Sequence, residues 1–196
     1  MTGEGNEERL DAKRTCLLLF DLLVGHAGKD RERFAPVIAN AARILAAARA
    51  AGAMIAYARA DHRADRATSA RTIRDSDKRL PLITGGTPEA EIVPELAPQL
   101  DDYLVPKHRW SAFHGTYLDT ALRTRGADTI ILCGGSTEVG IAATAYAARD
   151  LDYNLVIPSD ACTSPKHDVH AQLMREVFPR LARVRSSAQV VAMLAV

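Results

Sequence analysis

Two spacings of apolar residues alternate along this chain. Short, mostly apolar runs recur at residues 15–24, 54–58, 102–106, 129–133, 153–158 and 183–185. Runs of that length, too apolar for a solvated face, predict strands of a buried sheet. Between them the apolar positions fall three and four apart, as on a helix with one buried side. The clearest case is 36–51, where Val37, Ile38, Ala41, Ile44, Leu45 and Ala48 make one stripe that Gly52 ends. Further helices are predicted over 90–96, over 116–125 ended by Gly126, over 137–149 capped by Thr137, over 167–181 with Pro179 as truncation or kink, and over 188–194 capped by Ser187. Strands alternating with helices argue for a parallel, doubly wound α/β sheet.

Ligands of such sheets bind beyond the carboxyl ends of the strands, where strand order reverses. Three features fall there. Asp21 interrupts the first strand near its end, and a carboxylate in so apolar a run needs a partner. Lys107 follows the third strand and is one of only five lysines among 25 basic residues; its compact charge is readily tuned by neighbours. The stretch Gly134-Gly-Ser-Thr-Glu-Val-Gly140 turns from the fourth strand into a helix. Gly140 lies in the first turn, where glycine costs about 1 kcal/mol relative to alanine. Either a ligand approaches the bare backbone there, or helix and sheet pack too tightly for a side chain. Residues 59–86 form a long, charged, irregular connection of the kind that makes lids and binding loops. His62, just past the second strand, is a pocket or loop histidine; Asp61-His62 lacks the further ligands of a metal site.

The chain has 196 residues, enough for one domain, and 25 basic against 24 acidic residues leave a net charge of +1. No long single-sign run is present, so neither nucleic acid nor a membrane surface is an expected partner. Residues 1–14 are polar, without the apolar core of a signal peptide, and read as a flexible segment ahead of one domain over 15–196. No apolar stretch is read as reaching the roughly 18 residues of a membrane span. Cys16, Cys133 and Cys162 are scattered and form no CxxC pair, so neither zinc nor a disulfide framework is expected, and a reducing cytoplasm is.

Asp21 after an apolar strand, Lys107 in Lys-x-Arg-Trp-Ser-Ala-Phe, and Gly134-x-x-Thr137-x-x-Gly140-x-x-x-Thr144-Ala145 together resemble the isochorismatase-like hydrolase superfamily. Residues 87–98 and 115–119 are similar to its linking segments, and the resemblance runs over about 15–194. It implies a three-layer α/β/α fold with a six-stranded parallel sheet in the order 3-2-1-4-5-6. It also implies a cis peptide between Gly135 and Ser136, and a homo-oligomer, dimer or tetramer. Most members are cysteine hydrolases with an Asp-Lys-Cys triad that cleave amides. The nucleophile's position falls on Gly140 here, as in isochorismatases, because an enol ether needs protonation and not a nucleophile.

The resemblance therefore implies hydrolysis of a small enol-ether, isochorismate-like substrate without a cysteine, and with no metal or cofactor. Asp21 would be the acid and Lys107 would hold it or the substrate. Gly140, Ser136, Thr137, Trp110 and His62 would line the substrate site, and Arg71, Arg74 and Arg79 would meet carboxylates. Phe113 is a candidate wall beside Trp110, with core packing as its other reading. Leu23, Ser136 and Glu138 depart from the usual Gln of the family and from the aromatic and His of isochorismatases. Two other readings stay open: an inactive member that binds small molecules or serves as a scaffold, and an amide hydrolase using direct water attack with Asp21 as base.

Overall fold

The computed structural model describes residues 8–75 and 82–195; residues 1–7 of the expected flexible segment, and Arg79, lie outside them. β1 (Thr15–Phe20) is buried along its whole length and pairs in parallel with β2 (Met54–Ala60) on one side and β4 (Thr129–Gly135) on the other. β3 (Tyr103–Lys107) extends the sheet beyond β2, and β5 (Asn154–Pro158) and β7 (Arg183–Arg185) extend it beyond β4. The order β3-β2-β1-β4-β5-β7 reproduces the expected six strands, all parallel. A two-residue strand, β6 (Cys162–Thr163), pairs with the last residues of β4 as an addition the sequence pattern did not predict. Two residues carry too little periodicity to be read.

Helices cover both faces. α1 (Val24–Ala27) is a single turn within the stretch read as the end of the first strand and a loop. α2 (Arg31–Ala51) begins five residues before the expected Pro36, because the Asp30 carboxylate accepts from the Arg33 amide and caps the helix there. At 21 residues α2 is long and apolar enough to cross a membrane, contrary to the expectation from the sequence. Its apolar stripe is accounted for by packing on the sheet and on α6 (Ser187–Leu194). α3 (Leu118–Thr124) precedes β4, and α4 (Ala142–Asp150) follows it and packs on β5.

The 90–96 helix is replaced by two single 3-10 turns, Pro88–Ala90 and Pro94–Leu96, each opened by a proline. The expected 167–181 helix breaks up as Pro179 foretold, into α5 (His167–Gln172), a π turn (Leu173–Val177) and a 3-10 turn (Phe178–Arg180). The cap of α6 is Ser186, one residue earlier than expected, in a reciprocal capping box with Gln189. Ser187 is bound instead by Asp160, which accepts from its amide (2.6 Å) and its hydroxyl (2.8 Å). Residues 8–14 lie against the far end of the chain: the Leu10 amide donates to Met193 O (2.9 Å), and Glu8 pairs with Arg185.

Candidate active site

Order reverses between β1 and β4, so their carboxyl ends sit side by side. Phe20 at the end of β1 is in register with Gly134. Gly134 has φ 133°, and a Cβ there would lie 2.0 Å from the Phe20 carbonyl oxygen, so only glycine permits this approach. The next peptide, Gly135–Ser136, is cis, as expected. Asp21 follows β1 with φ 50°, a left-handed conformation that is uncommon outside glycine, Asn and Asp. Its own amide is held by Ala58 O (2.9 Å), and its carbonyl accepts from His26 Nδ1 (3.0 Å).

The carboxylate of Asp21 is nearly closed to solvent and both its oxygens are engaged. Oδ1 accepts from the Ala60 amide (2.8 Å), and Oδ2 accepts from Lys107 Nζ (2.7 Å). Lys107 ends β3, two strands away from β1, a distance of about 10 Å between strand axes. The two side chains meet over the end of β2, where Asp21 binds the Ala60 amide and Lys107 is in register with Ala60, and the lysine side chain is 5% exposed. Its ammonium also stands over the Phe20 ring, 4.2 Å from the centroid. A buried ion pair of this kind is stable only when its remaining bonds are satisfied, and here the Ala60 amide supplies one.

This pair borders an open cavity of about 1250 Å³. His62, Trp110, Ser136 and Gly140 line it, as do Arg71 and Arg74. Thr137 does not: it is fully buried, its hydroxyl meets His170 Nδ1 at 2.9 Å, and it makes no side-chain cap. The helix start is a π turn (Thr137–Ile141) with Ser136 at its N-cap. Phe113 is partly buried, stacks on Tyr153 at 5.7 Å and packs against the core. The 61–86 connection is fastened at both ends where the His62 amide donates to Ile83 O (3.0 Å) and the Gly85 amide to His62 O (2.9 Å). Burial, and after it His108, Lys107 and Arg109, push the His62 pKa down, so the ring enters the site neutral at pH 7. Its Nδ1 lies 3.2 Å from Thr68 Oγ1.

Sequence reasoning missed two residues here. Glu138, noted only as a departure from isochorismatases, lines the cavity with a buried Oε2 that has no hydrogen-bond partner among the described residues. Phe20 has in the sequence only the signature of one more apolar strand residue, yet its ring reaches the helix start. A Cβ on Gly140 would lie 2.2 Å from Phe20 Cε1 and 2.5 Å from Cζ. The glycine is therefore explained by packing against a ring, not by a ligand crossing the backbone. Gly140→Ala is expected to destabilise the protein. Overpacking costs about 1–3 kcal/mol, and the gain in helix propensity returns about 1 kcal/mol. A melting curve should fall by a few degrees; an unchanged or raised midpoint would show that the ring yields freely.

The isochorismatase domain matches residues 15–189. The isochorismatase family protein YecD of Escherichia coli O157:H7 is 34% identical over 192 residues, covering 92% of this chain and 96% of that protein. The ureidoacrylate amidohydrolase RutB of Methylorubrum extorquens is 30% identical over 176 residues, covering 77% of this chain and 70% of RutB. Among solved structures, an isochorismatase family protein from Burkholderia thailandensis superposes with a TM-score of 0.83 at 30% identity, over 95% of this chain and 97% of its own. With the domain match spanning nearly the whole chain, the protein belongs to the isochorismatase family.

Proposed function

We propose that this protein hydrolyses a small anionic enol ether of the isochorismate type, with Asp21 and Lys107 as its reacting pair and no covalent enzyme intermediate. The observation that carries the reading is the buried 2.7 Å contact between Lys107 Nζ and Asp21 Oδ2 beside a cavity whose helix-start wall is Gly140. No thiol faces that cavity, since Cys16, Cys133 and Cys162 are all buried and none lines it. Asp21 delivers a proton to the terminal enol-ether carbon, drawing on the ammonium beside it. The vinyl carbon bearing the ether oxygen becomes an oxocarbenium, and water adds to it, its released proton returning to Asp21 and through it to Lys107. The hemiketal then loses the alcohol, leaving a keto acid, and one water is consumed overall.

The charge of the cavity favours an anion. Among the described residues seven lysines and arginines line it, against Asp21, Asp65 and Glu138. Lys29, Arg66 and Arg71 stand exposed at its rim. Such a lining attracts a carboxylate and weakens as salt rises. Glu138 Oε2 offers an acceptor for a substrate hydroxyl. A second reading rests on the likeness to RutB: direct attack of water on an amide, with Asp21 as base. Release of keto acid from isochorismate, run beside ammonia release from a panel of small amides, separates the two. Turnover of neither substrate class would leave a binding or scaffold role.

Thiol reagents should leave the activity intact. Burial pushes all three thiols up, Cys162 to about 12, and the unreactive thiol form prevails at neutral pH. Rates after iodoacetamide should match those before it. Stoichiometric loss with protection by substrate would reveal a catalytic cysteine.

A further inference from the structure

The pairing of Phe20 with Gly140 and Lys107 goes beyond packing. The ring is 1% exposed and has two different neighbours on two different sides. Its edge, through Cε1 and Cζ, fills the hollow over the Gly140 Cα. Its face receives the Lys107 ammonium at 4.2 Å. An ammonium has three N–H groups. One contact goes to Asp21 Oδ2, and no other hydrogen bond from Nζ is formed among the described residues. The ring face, with its negative quadrupole, is therefore the ammonium's second anchor. Phe20 also precedes Asp21 in the chain, so one short segment presents both the carboxylate and the ring to the same lysine.

We propose that Phe20 is the positioning residue of this site: its ring holds the Lys107 ammonium on Asp21 Oδ2, and Gly140 lacks a side chain so that the ring can stand there. A thiol introduced at position 140 would meet the same ring, so Gly140→Cys alone should yield no thiol-dependent hydrolase. The proposal makes the glycine a consequence of the ring, with the ring serving the lysine.

Two variants separate positioning from packing. Phe20→Leu removes the aromatic face but keeps an apolar side chain. Phe20→Leu with Gly140→Ala refills part of the hollow and still offers no ring. The readouts are the melting temperature, the 15N–1H signal of the Lys107 ammonium by NMR, and isochorismate turnover. In the wild type the buried, anchored ammonium should exchange slowly enough to be observed. Phe20→Leu should lose that signal and lower turnover roughly tenfold. The double variant should regain melting temperature over Phe20→Leu while signal and turnover stay down. Wild-type signal in either variant would overturn the proposal, as would wild-type turnover, because Phe20 would then be filler alone. The turnover arm rests on the isochorismate reading above. The ammonium arm does not, and it decides the matter if isochorismate proves not to be a substrate.

Discussion

Asp21→Asn is expected to lower isochorismate turnover by about 10²–10⁴-fold, the range typical of a lost general acid or base. The substitution is well suited to isolating that role. Asparagine tolerates the left-handed φ of 50° that Asp21 adopts, and its Oδ1 can still accept from the Ala60 amide. What it removes is the negative charge and with it the capacity to take up and pass on a proton. The fold should be recovered, with wild-type circular dichroism but a lowered melting temperature, since the Lys107 ammonium stays buried without its counter-charge, while kcat collapses. Near wild-type kcat on the true substrate would remove Asp21 from the mechanism.

Lys107→Ala should have the largest effect on stability of any change at this site. With 5% of its side chain exposed Lys107 is buried, and it pairs with a carboxylate that is itself only 11% exposed. Removing one partner of such a pair typically costs about 3–5 kcal/mol, because the other charge is left buried and uncompensated. For a chain of this size that corresponds to a fall in Tm of roughly 10 °C. Asp21→Asn combined with Lys107→Met should recover much of that loss, since no charge remains buried, yet recover none of the turnover. If Lys107→Ala melted like the wild type, the ion pair would have to be solvated in solution.

Much of this is legible in the sequence. The parallel sheet is, because its strands are apolar on both faces and alternate with helical stripes, whereas its strand order comes with the family resemblance and not from the pattern. Asp21 and Lys107 are, because a carboxylate in an apolar run and a rare lysine at a strand end both break a local pattern. The role of Gly140 is not. A glycine in a first helical turn has the same signature whether a ligand or a side chain approaches it, and only the Phe20 ring edge at 2.2 Å from the would-be Cβ decides between them. Thr137 illustrates a second limit. It has the residue type and position of a cap, but the helix opens with a π turn and the hydroxyl goes to His170, thirty-three residues on, which no local pattern encodes. Glu138 is visible only as a departure. That its Oε2 is buried without a partner depends on how the turn folds over the cavity.

The most direct test of the account is keto acid release from isochorismate by wild-type protein before and after treatment with excess iodoacetamide. A rate that is substantial and unchanged by alkylation is the predicted result, since the buried Asp21–Lys107 pair and no cysteine would carry the reaction. No release from isochorismate, or release abolished by alkylation and protected by substrate, would contradict it.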